Sequence, residues 1–479
     1  MSTLKSPEQF QTRIVKPGMS LFRLRFGILI LACGFFVGGL ASSCGHLESS
    51  ETDMMYVSTA TAPTRSMAEG LPEFSENATL DDYLRIAALN NAGLEAAFNR
   101  WKATLERSDQ MTALPDPRFS YSYYIQDSDA RLDPEDQEFA LSQTFPWFGK
   151  RRLQGKAADE AAKASQQAFE KAKLSVFYRV KVAYHEYWYL SRAIAVTKEH
   201  LQLVTNLERV ARTRYSAGLV ANSAVIQAQV ELGKLDDQLR TLEAQRAPIV
   251  AKLNAALSRP VHLSLPWPRD LPEFDASFTD EMAVQVFIEN NPDLKRLDHL
   301  VDQEDASIRL ARKSYYPDIT VGLEYMDSGS GGNSGMASSG RDPVMAMVSV
   351  NIPLWYGKYR AEEREARFRR KSVEADRNNT QNSLQADLEF ALYQFRDAQR
   401  KIDLYGNTLI PKAEQSLKVT QEGFETGKES FIALIDTQRL LLEFQLSHQR
   451  AQADRGLRLA EIEMLTTGKG LGARGEGER

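Results

Sequence analysis

The sequence predicts a mainly α-helical chain that carries two pairs of β-strands, neither pair able to close a sheet around a core of its own. Three observations predict it. A helix–strand–strand–helix order occurs twice, the four strand segments alternate cleanly with period two, and the helical stretches that follow them are far longer than a globular domain uses.

The duplication carries the rest. Asn90-Asn91-Ala92-Gly93-Leu94 matches Asn290-Asn291-Pro292-Asp293-Leu294, and Pro115-Asp116 matches Pro317-Asp318. Pro146-Trp147-Phe148-Gly149-Lys150 matches Pro353-Leu354-Trp355-Tyr356-Gly357-Lys358. Tyr215-Ser216-Ala217-Gly218 with the later Gln229 matches Phe424-Glu425-Thr426-Gly427 with Gln438. The copies stand 200 to 209 residues apart throughout, a spacing that chance similarity would not hold.

Taken in order, the first element is an apolar run from Phe26 to Ser43 behind Arg23 and Arg25, which reads as an export signal covering residues 1–43. Translation from Met19 would give a signal of more usual length. Leu40-Ala41-Ser42-Ser43-Cys44 resembles a bacterial lipoprotein cleavage box, so Cys44 is the expected lipidated first residue; ordinary cleavage near Ser43 is the other reading. Residues 44–78 are rich in Ser, Thr, Glu and Ala without an apolar period, and are expected to form a tether or extended arm.

The first repeat spans 79–258 and the second 279–466; the linker 259–278 carries Pro260, Pro266, Pro268 and Pro272, which forbid a continuous helix, and 467–479 is expected to be a disordered tail. Leu80 to Met111 and Met282 to Ser314 read as helices broken at the Asn-Asn turns. In the first strand pair Phe119, Tyr121 and Tyr123 share a face, as do Phe139, Leu141 and Phe145. In the second, Ile319, Val321, Leu323 and Tyr325 alternate with Thr320, Gly322 and Glu324; Val344, Ala346, Val348, Val350 and Ile352 alternate with Met345, Met347, Ser349 and Asn351. Polar connections, Gln126 to Gln137 and Asp327 to Pro343, read as hairpin loops. Helical rods are then predicted over Lys150 to Ser216 and Lys358 to Glu425, each roughly 100 Å long at 1.5 Å per residue. Glycine turns at Gly218 and Gly427 reverse the chain into helices from about Asn222 to Leu257 and Ser430 to Thr466. In the first of these, Val225, Leu232 and Leu239 recur at seven with Ala228, Leu235 and Leu242 between them, a coiled-coil seam.

Composition narrows the function. Removal of residues 1–43 takes away five Lys/Arg and one Glu and moves the formal charge from −5 to −9, which argues against nucleic acid as partner. A mature chain with at most one cysteine forms no internal disulfide or thiolate cage. His46, His185, His200, His262, His299 and His448 are scattered, no two of them at a metal-ligand spacing on one helix face. Met345 and Met347 would offer two thioethers to a soft metal such as Cu(I), but filling space is the expected role. Tyr184, Tyr187, Trp188 and Tyr189 are expected to pack between helices, Trp147 and Trp355 to mark a membrane interface, and Lys150, Arg151, Arg152, Lys358 and Arg360 to meet either lipid head groups or water. No phosphate loop, nucleophile elbow or paired-carboxylate arrangement occurs, so neither enzyme nor cofactor is expected.

The four strands have the length and alternation of tilted membrane strands, though a small soluble sheet shares that pattern. Four strands cannot close a barrel, and an open edge cannot sit in lipid. Two copies would supply eight strands and three would supply twelve; physics alone does not choose.

The duplicated pattern, the Tyr215-Ser216-Ala217-Gly218-Leu219 turn with its downstream glutamines, and the Pro-Asp strand entries resemble the TolC-like outer-membrane factors from about Thr79 to Gly468. The lipobox, Leu114-Pro115-Asp116-Pro117 and Phe145-Pro146-Trp147-Phe148-Gly149-Lys150 look closest to the CusC/CzcC-type heavy-metal branch. The resemblance implies a homotrimer, lipid-anchored in the bacterial outer membrane and extending into the periplasm, with a twelve-stranded barrel continued by a twelve-helix tunnel. It implies passive conduction of substrates, heavy-metal cations among them if the branch holds, from a periplasmic adaptor and an inner-membrane pump. It further implies that Ala217, Gly218, Leu219, Thr426, Gly427 and Lys428 are the tips that meet the adaptor, and that Asp436 narrows the closed pore. Glu429, Ala433 and Ala224 depart from the family's gate pattern, which leaves two readings: a lone ring of Asp436, repelling itself and favouring cations, or Asp436 as a solvated helix residue. The competing reading is a soluble or lipid-anchored periplasmic coiled-coil adaptor, which would need one central helical hairpin and additional β domains rather than two helical repeats flanking strand pairs.

Overall fold

The computed structural model describes residues 74–75, 78–123, 137–269, 271, 278–327 and 343–467. The export signal, Cys44, most of the tether, nearly all of both strand connections and the tail beyond 467 lie outside the described residues. In chain order the first repeat gives α1 (Leu80–Asn90), α2 (Ala92–Thr112), β1 (Arg118–Tyr123), β2 (Gln137–Phe145), α3 (Lys150–Ser216), α4 (Asn222–Ala244) and α5 (Arg246–Ala256). The second gives α6 (Asp280–Asn290), α7 (Pro292–Lys313), β3 (Ile319–Asp327), β4 (Val344–Val350), α8 (Tyr356–Leu404), α9 (Ile410–Thr426) and α10 (Phe431–Thr466).

Each Asn-Asn turn works by its second member. Asn91 Oδ1 accepts from the Leu94 amide at 3.0 Å and Asn291 Oδ1 accepts from Asp293 at 2.9 Å, which caps α2 and α7. The same side chains reach the far end of their repeat: Asn91 Nδ2 donates to the Ala256 carbonyl at 3.2 Å and Asn291 Nδ2 to Leu465 at 2.9 Å. One buried amide thus satisfies a helix start and an orphan carbonyl at the opposite end of its repeat. The duplication reaches some backbone dihedrals, though Gly149 is left-handed (φ 87°) and its counterpart Gly357 is not. Ser258 and Thr467, both with positive φ (54° and 67°), sit at equivalent places just past α5 and α10.

The predicted rods form with two corrections. α3 is continuous for 67 residues, as its lack of proline allows. The second rod breaks: α8 ends at Leu404, a π turn occupies Tyr405–Leu409, and α9 follows with Pro411 in its first turn. Proline donates no N–H, so the carbonyl four residues earlier needs a wider turn. The helix expected over Asn222 to Leu257 likewise splits at Gln245, and Pro248 supplies the same cause.

The four strands form one antiparallel sheet in the order β1-β2-β3-β4. Their register aligns the alternation across all of them. Phe119 pairs Leu141, Leu141 pairs Leu323, and Leu323 pairs Ala346 on one face, while Thr144, Thr320 and Ser349 line up on the other. Within the described residues β1 and β4 are each paired on one side, and both are exposed along their described length. Helices α2, α3, α7 and α8 lie side by side in the same order as the strands they adjoin. Beyond them α1 and α5 pack on α3, and α6 packs on α8 and α10, giving one buried cluster in each repeat. Among the described residues no helix is long and apolar enough to cross a membrane.

The proline-rich linker is pinned rather than loose where it is described. Tyr187 stacks on Trp267 at 4.8 Å between ring centres, and its hydroxyl donates to the Leu265 carbonyl at 3.0 Å. Tyr184 and Tyr187 pack between helices as predicted, and Tyr187 also clamps the linker.

Candidate functional site

Both glycine turns end their helices in the same way. The Leu219 amide donates to the Arg214 carbonyl and Gly218 to Tyr215, each at 2.9 Å; Lys428 donates to Gly423 at 2.8 Å and Gly427 to Phe424 at 3.1 Å. This six-to-one and five-to-two pairing requires a left-handed residue, supplied by Gly218 (φ 72°) and Gly427 (φ 81°). A side chain at Gly218 would meet nothing within 4 Å, so backbone conformation and not space demands glycine there. Ser430 Oγ then accepts from the Ala433 amide at 3.1 Å and restarts the chain as α10.

The two tips lie together. The Arg214 guanidinium sits over the Phe424 ring, 5.2 Å from its centre, and donates to the Glu425 carbonyl. Behind them one buried cluster joins both hairpins through Leu207, Ala228, Leu417, Phe431 and Leu434. Leu219 stays 63% exposed at the extreme end of its turn, an apolar residue with nothing to cover it among the described residues. The six tip residues named from the sequence are thereby brought to one surface, with Arg214 between them, which sequence reasoning passed over.

Asp436 lies just above, on α10, with its side chain 61% exposed. It is not a bare acid. Arg439 donates from Nη1 to Asp436 Oδ1 at 3.2 Å and from Nη2 to Glu231 Oε2 at 2.5 Å, tying α10 to α4. Glu231 is buried, and its hydrogen bond holds the Arg439 guanidinium above its ordinary pKa. The exposed half of the network is worth little, whereas loss of Arg439 would strand a buried carboxylate. Arg439 and Glu231 were missed because the family's gate pattern places its partners elsewhere; the i, i+3 spacing of Asp436 and Arg439 was the available signal.

The duplicated glutamines have diverged. Gln438 is fully buried and donates to His200 Nδ1 at 2.9 Å, while His200 Nε2 meets Gln445 Oε1 at 2.7 Å. Gln229 only approaches Glu208, at 3.5 Å. Burial lowers the pKa of His200, so the neutral ring serves as acceptor on one side and donor on the other.

At the opposite end, Lys150 Nζ donates to Asp318 Oδ1 at 2.7 Å and to the Tyr316 carbonyl at 3.0 Å; Asp318 also accepts from the Trp147 amide at 2.8 Å. Trp147 stacks on Tyr316, and Arg151 Nε donates to the Thr112 carbonyl at 2.8 Å. Lys150 and Arg151 are thus held by protein groups rather than left to lipid or water. Met345 and Met347 fall on the polar face of the sheet, and Met347 leans across the space that a side chain at Gly322 would fill.

Comparison with known proteins follows the same outline. The family model for outer membrane efflux proteins matches residues 84–259 and 283–467. The chain is 22% identical over 382 residues to the cobalt-zinc-cadmium resistance protein CzcC of Cupriavidus metallidurans, covering 77% of this chain and 85% of that one. It is 29% identical over 180 residues to the toxin and drug export protein A of Aggregatibacter actinomycetemcomitans, but spans 37% of this chain and 39% of that relative. Among solved structures the outer-membrane channel OprN superposes with a TM-score of 0.71 at 15% identity, over 81% of this chain and 90% of that one. With the model matched across both repeats, the chain belongs to the outer membrane efflux protein family.

Proposed function

We propose that the chain is one subunit of a homotrimeric outer-membrane duct that passively conducts substrates delivered by a periplasmic adaptor and an inner-membrane pump. The observation that carries the reading is the sheet: its apolar residues share one face across four strands, and both of its edges are unpaired among the described residues. Such edges need partner strands if they are to lie in lipid, and three copies would give twelve. Cys44 would carry the lipid anchor, the Gly218 and Gly427 tips would meet the adaptor, and Asp436 with Arg439 would line the closed end. Heavy-metal cations are one cargo class, by analogy with the metal-resistance relative; the toxin and drug exporter stands for another.

The duplication supports a specific closure. Asp116 and Lys358 are the counterparts of Asp318 and Lys150, yet both are exposed and neither has an ion-pair partner among the described residues. Asp116 of one copy would meet Lys358 of the next, as Asp318 meets Lys150 within the chain. The test is Asp116→Cys with Lys358→Cys, oxidised in membranes. Covalent dimers and trimers in the double variant, absent from each single variant, are expected. A double variant present at normal level that stays monomeric would contradict the closure and favour the adaptor reading.

A further inference from the structure

We propose that Glu160, His299 and Asp302 form a divalent-cation site that clamps the first repeat to the second. Glu160 projects from α3, ten residues past its start, and His299 and Asp302 stand at i, i+3 on α7, so they share a helix face. His299 Nδ1 lies 2.9 Å from Glu160 Oε2, and one ligand atom from each of the three residues lies within 4.8 Å of the other two. A tetrahedral ion with bonds of about 2.0–2.2 Å needs ligand atoms about 3.4 Å apart. The Glu160–His299 pair stands closer than that, at a hydrogen-bond distance of 2.9 Å, and would open slightly to admit the ion. Asp302, the exposed member, closes the rest by side-chain rotation.

Three features favour an ion over an ordinary ion-pair cluster. The Glu160 side chain is only 10% exposed, and Lys163 Nζ holds its Oε1 at 3.0 Å, which leaves Oε2 aimed at His299. That is the outer-shell orientation that metal-binding carboxylates receive. Two carboxylates offset most of the combined charge of a divalent ion and Lys163, and an imidazole binding through Nδ1 would keep its proton on Nε2. The repeat supplies an internal contrast: the equivalent positions, offset by 200 and 208 residues, are Asn99, Lys102 and Phe368. Ligand types occupy all three positions on α3 and α7, which pack together, and none of the three counterpart positions on α8 and α2. Comparing histidines only with one another hid the site, because its other members are carboxylates and one of them lies 139 residues away. One imidazole with two carboxylates suits Zn²⁺, with water as fourth ligand, and does not suit Cu(I). The ion is a structural clamp and not cargo, so the assignment stands apart from the duct reading.

The test uses the full chain in detergent micelles, stripped with chelator and titrated with Zn²⁺ calorimetrically and with Co²⁺ by visible absorption. One ion per chain, tetrahedral Co²⁺ bands and a raised thermal midpoint are expected, and His299→Ala should weaken Zn²⁺ binding at least about tenfold. Asp302→Asn, at an exposed position, keeps the test decisive if His299→Ala folds poorly. An unchanged isotherm in Asp302→Asn together with His299→Ala, or no saturable binding below about 100 μM, would reduce the cluster to an ion-pair network and overturn the proposal.

Discussion

Single residues show where the duplication was kept and where it was spent. Asn91 and Asn291 were legible as turn residues, but their second bonds, to Ala256 and Leu465, join positions 165 and 174 residues apart and leave no local sequence signal. Gly456 was not legible at all. It looks like a helix-weakening glycine in α10, yet a Cβ there would fall within 2.7 Å of both ring nitrogens of the buried His185. Gly456→Ala should therefore lower stability by about 1–3 kcal/mol, where an exposed helical site would gain from the change. Thermal unfolding followed by helical circular dichroism checks it, and a raised midpoint would refute the clash. His185 itself is pushed down to about 4 by burial, with Lys181 adding to the shift, and burial also lowers His200. The unfolded chain binds more protons than the folded one below about pH 6.5, so stability is full above that value and falls as pH drops towards 4. His185 alone accounts for about 3 kcal/mol of that loss. His185→Gln should flatten the pH profile over this window, and an unchanged slope would assign it to other groups.

At the scale of elements, periodicity and proline explain both successes and failures. α3 was readable from end to end because nothing in its 67 residues breaks a helix. The breaks at Gln245 and at Tyr405–Leu409 follow from Pro248 and Pro411, which a hydrophobic pattern passes over because side-chain spacing survives while a backbone bond is lost. Strand alternation was legible, but the register that aligns it across all four strands was not, since pairing is a property of the sheet. The tips are elements of backbone rather than side-chain chemistry. Gly427→Ala places a methyl group at φ 81° and should cost roughly 1 kcal/mol, with fraying confined to the α9–α10 turn. Hydrogen exchange localises the effect; protection lost uniformly along both helices would show that the turn is not an independent weak point.

For the whole molecule, the sequence reading reached the family and the architecture because a duplication displays each element twice. It did not reach the Glu231–Arg439–Asp436 network or the Glu160–His299–Asp302 cluster, both made by residues on different helices. Nor do the relatives select a cargo, since a metal-resistance protein and a toxin and drug exporter are both similar to the chain. What remains at this scale is closure. A sheet with two exposed edges among the described residues and one apolar face would be incomplete alone in lipid, and the proposed duct needs neighbours to complete it. The most direct measurement is fractionation of cells making the full chain, followed by electrophoresis with and without heating. Recovery in the outer-membrane fraction as an oligomer of three copies that dissociates on heating is expected. Release as a monomer into the soluble periplasm would contradict it.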